Sequence, residues 1–389
     1  MRSAPLRNRV LGLALLGVAL WTATSTAETL PSKTLPGVSI DDRGRSSERS
    51  RLEAALGRLQ RSATVRRMEA RRRKQGAIVV AFAKLDTSTK SFSGSHGHTD
   101  VDHEPARVEI NEALIGSHRA FFETLAHELY GHGVLLREAA RLGLDLGHTI
   151  DNEAFSLAVG AAAALEIGEP IEDEARLDAL AVSPSAYAAE VLFTDSPARI
   201  EFTLEEARDP RAAIAARQKE LARRRLSVSG RRREALVWRW KIEHFEKVHR
   251  AAPETFGDLR ASLDELTRET LPGRSALLDA AEPHLKEVAA FLNGKDGRAF
   301  IAGMVATAAS PYMKTLDADL AALGRRIAEL RARRPKTTPA PVVPAASIAP
   351  TVKQTDWNGL SVLEARDRRE NPGHWTGAPE VQAPAPAWR

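Results

Sequence analysis

Thr124-Leu125-Ala126-His127-Glu128-Leu129-Tyr130-Gly131-His132-Gly133 is the stretch on which the reading of this chain turns. It lies inside an apolar, helix-patterned run from 117 to 142, with Phe121, Phe122 and Leu125 ahead of it at helical spacing. The familiar helical metal motif is H-E-x-x-H, in which two histidines four residues apart share one face and the glutamate beside them serves as general base. Here Gly131 takes the fourth place and the second histidine comes fifth. In a regular helix, residues five apart stand about 140° apart around the axis, against about 40° for residues four apart. Ligands so placed cannot meet one ion. A single π-bulge adds one residue to a turn and returns the pair to one face. Gly131, without a Cβ, eases such a distortion. The sequence therefore predicts a widened turn near Tyr130-Gly131, with His127 and His132 converging beside Glu128.

The hexapeptide His127-Glu128-Leu129-Tyr130-Gly131-His132 resembles the H-E-L-L-G-H motif of the dipeptidyl peptidase III family, zinc metallopeptidases with this longer spacing. The resemblance implies that His127 and His132 bind Zn2+ and that Glu128 activates the water. It covers these residues alone: Tyr130 stands in place of Leu, the chain is far shorter, and the family's second motif, E-E-C-R-A-E, is missing. A helix carrying H-E-L-x-G-H after a strand also looks like the compact bacterial zincins as a class. In that class a third ligand comes from a following helix, often as the Glu of an Asn-Glu pair. Asn152-Glu153, beginning an apolar helix, fits that place. Glu153 is the leading third ligand, and His148 and Asp151 stay open as ligands or as groups that orient a ligand histidine. The same likeness implies that the strand before the helix, Arg107 to Asn111, is the sheet edge on which a substrate backbone pairs. His148, Tyr187 and His244 are candidates for stabilising the oxyanion.

Working outward, Ala77 to Ala83 is apolar, β-branched and short, hence a strand. Val108 and Ile110 alternate with Glu109 and Asn111 as in a half-buried strand. Residues 84–106 read as a polar loop. Its His96-Gly-His98-Thr-Asp100-Val-Asp102-His103 partly resembles the H-x-H-x-D-H signature of metallo-β-lactamase-like hydrolases, with an extra residue before the last His. That fold needs repeated strand pairs, which the C-terminal half does not offer. A second metal site or a polar cleft rim are the remaining readings of this loop. Residues 28–45 read as a flexible leader and 46–75 as one basic helix. From 173 to 334 the pattern is helical, broken at Pro184, Pro197, Pro210, Gly230, Pro253, Pro272, Gly294 and Pro311. Trp238, Trp240, Ile242, Phe245 and Val248 read as the core face of one of these helices. Beyond Arg334 the Pro/Ala/Thr-rich composition predicts a disordered tail.

The first 27 residues carry Arg2, Arg7 and Arg9, then the apolar run Val10–Trp21, then Ser25-Thr26-Ala27. That order predicts a secretory signal peptide and a secreted or periplasmic protein. The 389 residues contain no cysteine, so metal ligands must be His, Asp or Glu, and disulfides, a thiol nucleophile and a Cys-linked lipid anchor are excluded. The net charge of +5 is clustered in runs such as Arg71-Arg72-Arg73-Lys74 and Arg231-Arg232-Arg233. These predict solvated helix faces or contact with an anionic envelope surface; no specific nucleic-acid partner is predicted.

The expectation is thus a mainly helical α+β protein. A signal peptide spans 1–27 and a leader with a basic helix 28–75. A zincin-like core with a small sheet and the motif helix spans 76–172, followed by a helical region over 173–334 and a disordered tail over 335–389. The function expected is metal-assisted hydrolysis of a peptide or protein substrate. A metal-dependent amidase on cell-wall peptide and a non-catalytic envelope binding scaffold are the alternatives.

Overall fold

The computed structural model describes residues 29–43, 45–85, 96–116, 118–147, 149–171, 176–195, 201–221, 228–251, 253–268 and 276–334. The expected signal peptide, the Pro-rich tail and His148 lie outside the described residues. Five strands form one sheet: β1 (Thr29–Pro31), β2 (Val38–Asp41), β3 (Ile78–Ala83), β4 (Gly97–Asp100) and β5 (Ala106–Asn111). Their order is β1-β2-β3-β5-β4. The three inner strands β2, β3 and β5 run parallel, while β1 and β4 lie antiparallel on the two edges. Every residue of β3 is buried. Its unbroken Ile-Val-Val-Ala-Phe-Ala run suits a central parallel strand covered on both faces.

Three sequence expectations change here. The stretch expected as a flexible leader supplies β1 and β2, and β2 pairs with β3 from Val38↔Ile78 to Asp41↔Ala81. Val38 and Ile40 are buried, an alternation too short to stand out from its neighbours. The expected substrate edge, Arg107 to Asn111, is an interior strand, held by β3 on one side and β4 on the other. The edge on that side is β4, which arises inside the supposed polar loop; Gly-His-Thr-Asp has no apolar signature to reveal it.

The single basic helix expected over 46–75 is two helices, α1 (Ser46–Leu59) and α2 (Ala63–Arg72). Ser62 starts the second by accepting a hydrogen bond from the Val65 amide. Leu52, Leu56, Leu59, Val65 and Met68 sink into the core. Much of the basic run is answered within the molecule: fully buried Arg72 and more exposed Arg73 both bond Glu69, and Arg71 bonds Glu138 and Asp319. After the sheet come α3 (His118–Ala126), a π turn over His127–His132, α4 (Gly133–Arg141) and α5 (Ile150–Glu166). Fourteen of the residues of α5 are buried. A helix apolar on all sides belongs in the middle of a protein, and α5 is packed against the π turn, α2, α3 and α4.

The remaining helices are α6 (Arg176–Val182), α7 (Pro184–Asp195), α8 (Leu204–Arg208), α9 (Pro210–Leu221), α10 (Val228–His249), α11 (Gly257–Arg268), α12 (Ala276–Asn293), α13 (Lys295–Ala309) and α14 (Pro311–Arg333). Pro184, Pro210 and Pro311 open helices as expected, whereas Gly230 sits inside α10. Trp238, Ile242 and Phe245 are buried, the core face expected for that helix. No helix among the described residues is long and apolar enough to cross a membrane.

Glu166, the last residue of α5, ties three helices together. Its carboxylate accepts from the Ser62 hydroxyl and the Thr64 amide at the start of α2, and from Arg326 Nε of α14 at 2.7 Å. Burial acts to raise its pKa, but these donors outweigh it and hold the carboxyl below its ordinary 4.5. A depressed folded-state value adds stability that is present above pH 4.5 and is lost as pH falls through the folded value. Glu166→Gln is therefore expected to lower unfolding stability by about 1–3 kcal/mol at pH 7. The deficit should shrink at pH 3. Denaturant unfolding at the two pH values checks this, and an equal deficit at both would contradict it.

Candidate metal centre

The turn required by the i to i+5 spacing is present. His127–His132 form a π segment between α3 and α4, and the backbone N–H of Gly133 reaches back to the Glu128 carbonyl. Both imidazoles come to one side: their Nε2 atoms are 2.9 Å apart, with ring centroids 4.6 Å apart and planes at 83°. The widened turn is held from both flanks. Tyr130 is fully buried and its hydroxyl accepts from Gln60 Nε2 at 3.0 Å, at the junction of α1 and α2. On the other flank α5 comes very close. A Cβ added to Gly131 would lie 2.5 Å from Ser156 Cα, and one added to Gly160 would lie 2.8 Å from the Glu123 carbonyl oxygen. One glycine from each helix thus removes the side chains that would keep the two backbones apart. Gly131 was expected to ease the bulge; its second contribution is this lateral clearance.

The approach of α5 carries Glu153 to the histidines. Its Oε1 lies 3.5 Å from His127 Nε2, and its Oε2 lies 3.4 Å from His132 Nε2. Glu128 Oε1 is 3.9 Å from His127 Nε2. His127, Glu128 and His132 make a group that could hold a metal ion, the one such group found among the described residues. α5 also orients His132. Its Nδ1 is 2.9 Å from Asn152 Oδ1 and 3.0 Å from Ser156 Oγ, so the Nδ1 hydrogen is directed at α5 and Nε2 faces the cluster. Asn152 was visible in the sequence only as the neighbour of Glu153. Ser156 was missed, although it lies three residues past Glu153 on the same helix face.

The surroundings push the two imidazoles in opposite directions. Burial pulls the pKa of His127 down, and the positive side of His132 adds to that. Burial acts on His132 in the same direction, but the hydrogen bond and charge of Glu153 outweigh it and lift His132 to about 9. Glu153 is thus the group that most favours positive charge beside His132. A metal ion entering beside this carboxylate would displace any proton on Nε2 of His132, so binding there is expected to strengthen as pH rises.

Other candidates fall elsewhere. Asp151 is buried and faces away, accepting from the Leu204 amide at 2.8 Å, and burial pushes its carboxyl up to about 6. It fastens α8 to the start of α5 rather than joining the ligands. His244 is buried in α10, where its Nδ1 bonds the Trp240 carbonyl, and burial lowers its pKa. Tyr187 lies on α7, which packs on α5. In the His96–His103 segment, His103 is 77% exposed and bonds Asp100 at 2.8 Å, but no metal-type group forms there among the described residues. No protein-family model, curated protein or solved structure matches the chain, so the site rests on its own geometry.

The helix clearance gives a direct test. Gly131→Ala is expected to push α5 outward, lowering stability by about 1–3 kcal/mol and weakening metal binding by about tenfold or more. Gly257→Ala, where an added Cβ meets nothing within 4 Å, serves as the control. Denaturant unfolding and competitive metal titration measure both; a Gly131→Ala protein with unchanged metal affinity would show the close approach to be dispensable.

Proposed function

We propose that this chain is a zinc-dependent metallopeptidase in which His127, His132 and Glu153 hold the ion and Glu128 is the general base. The single observation that carries the reading is the cluster in which the two Nε2 atoms stand 2.9 Å apart, with one Glu153 oxygen 3.5 Å from His127 Nε2 and the other 3.4 Å from His132 Nε2. Ligands at zinc's usual bond lengths and tetrahedral angles stand about 3.3–3.5 Å from one another. Two neutral imidazoles and one carboxylate leave a fourth position for water, the pattern of catalytic rather than structural zinc. The absence of cysteine removes the thiolate sets typical of structural sites.

When bound, zinc would lower the pKa of its water towards about 7 and polarise the scissile carbonyl. Glu128 would be the group to take that water's proton and pass it to the leaving nitrogen as the C–N bond breaks. Asn152 and Ser156 hold His132 with its Nε2 turned inward, while the buried helices around the cluster limit competing water. An extended substrate backbone would add as a strand at β4, the edge of the sheet beside Glu128. That edge replaces the Arg107–Asn111 strand in the role expected from the zincin likeness. The N-terminal charge-then-apolar pattern supports an exported protein acting on peptide or protein substrates outside the cytoplasm.

Purified protein is expected to contain about one zinc per chain, and His127→Ala or His132→Ala to lose it. Glu153→Ala should weaken zinc binding roughly a hundredfold. Glu128→Gln should keep the metal and lower peptide hydrolysis by about a thousandfold. Elemental analysis with a broad peptide-library cleavage screen, before and after chelation, decides the matter. Zinc bound at full occupancy without cleavage of any peptide would refute the enzyme reading, and wild-type zinc affinity in Glu153→Ala would refute the third ligand.

A further inference from the structure

Glu128 is seated on β4. Thr99 Oγ1 lies 2.6 Å from Glu128 Oε2 and 3.1 Å from the Glu128 carbonyl oxygen. Two positions before it on the same strand, Gly97 leaves the room that the carboxylate fills: a Cβ there would lie 2.5 Å from Glu128 Cγ and 2.7 Å from Oε1. Residues two apart on a strand share a face. One face of β4 therefore forms a seat shaped for this side chain, with a hydroxyl donor at one end and a missing side chain at the other. His98 and Asp100 point to the opposite face.

The register of the sheet holds that seat rigidly. Thr99 pairs with buried Val108, and Gly97 pairs with buried Ile110, in the antiparallel ladder between β4 and β5. β5 is itself paired along its length with the buried β3. A hydroxyl in this position has little freedom to follow a wandering carboxylate, so the carboxylate must come to it. Glu128 is buried, and its Oε2 is the oxygen occupied by Thr99. Oε1 is left on the side of His127, 3.9 Å from its Nε2.

We infer that Thr99 is a positioning residue for Glu128: its hydroxyl holds Oε2, so that Oε1 is the oxygen presented to the metal-bound nucleophile. The inference rests on the peptidase reading above. A base held by one oxygen presents the other in a single orientation, whereas an unheld carboxylate samples several rotamers of which few face the water. Because β4 is also the strand proposed to receive the substrate backbone, the same element that docks the peptide sets the angle of the base.

The test is a set of variants at this one position in the full-length zinc-loaded protein. Thr99→Val removes the hydroxyl and keeps the shape. It is expected to retain zinc with unchanged affinity and to lower kcat about ten- to a hundredfold, with KM within about twofold of wild type. Thr99→Ser restores the donor and is expected to return kcat to within about threefold. A Thr99→Val protein with wild-type kcat, or a Thr99→Ser protein as impaired as Thr99→Val, would overturn the inference. A double-mutant cycle on unfolding, with Thr99→Val, Glu128→Ala and the pair, provides a readout that needs no activity. A coupling of about fivefold or more in the unfolding constant is expected. Coupling below twofold would dissolve the contact itself, whatever the protein hydrolyses. Strong coupling in a wild-type protein that cleaves no peptide would refute the peptidase reading and reduce Thr99 to a structural bond, overturning its positioning role as well.

Discussion

Everything at the site depends on two helix backbones passing closer than side chains normally permit. Gly131 of the π turn abuts Ser156 of α5, and Gly160 of α5 abuts Glu123 of α3 and His127; from that crossing follow the positions of Glu153, Asn152 and Ser156. A widened turn alone would align two histidines and stop there. With α5 pressed against it, the same turn acquires a carboxylate, an amide acceptor and a hydroxyl, each directed at an imidazole. Close helix approach also leaves little void, and α5 has almost no exposed residues to yield ground.

The crossing is held by groups some distance from the two histidines. Tyr130 reaches away from the cluster to Gln60, and Glu166 binds the start of α2 and α14 from the far end of α5. At the near end Thr149 caps α5 by accepting from the Asn152 amide, and Asp151 binds the Leu204 amide. α5 is thus pinned at both ends, and its middle is pressed to the π turn. Rigid elements fixed in this way keep the two imidazoles and Glu153 in one place.

What could be read from the sequence was the part with a strong local pattern. The motif helix, the β3 strand and the apolar helix that begins at Asn152-Glu153 each announce themselves by period or by an unbroken apolar run. The π turn could be deduced from an angular argument, because no regular helix satisfies histidines five apart. Glu153 was reachable through the Asn-Glu pair. The readings that needed correction lie where side chains carry no pattern: β4 is Gly-His-Thr-Asp, and β2 is four residues long. Both are strands because neighbours already in the sheet recruit them, a tertiary effect invisible to local propensity. Ser156 and Thr99 were illegible for the same reason. Serine and threonine are common, and only the packing of α5 and β4 tells what these two touch.

The place of β2 has a consequence for how the protein can be processed. The chain threads Val38–Asp41 between β1 and β3, so residues near the start of the described structure complete one flank of the sheet whose other flank seats Glu128. A cleavage before Thr29 leaves every strand in place. A cut after Asp41 would strip β1 and β2 together, uncovering the backbone of β3, the most apolar strand, as a raw edge. The segment between these two points is built into the frame of the sheet, so losing it would leave β3 open to self-association rather than release a separate piece.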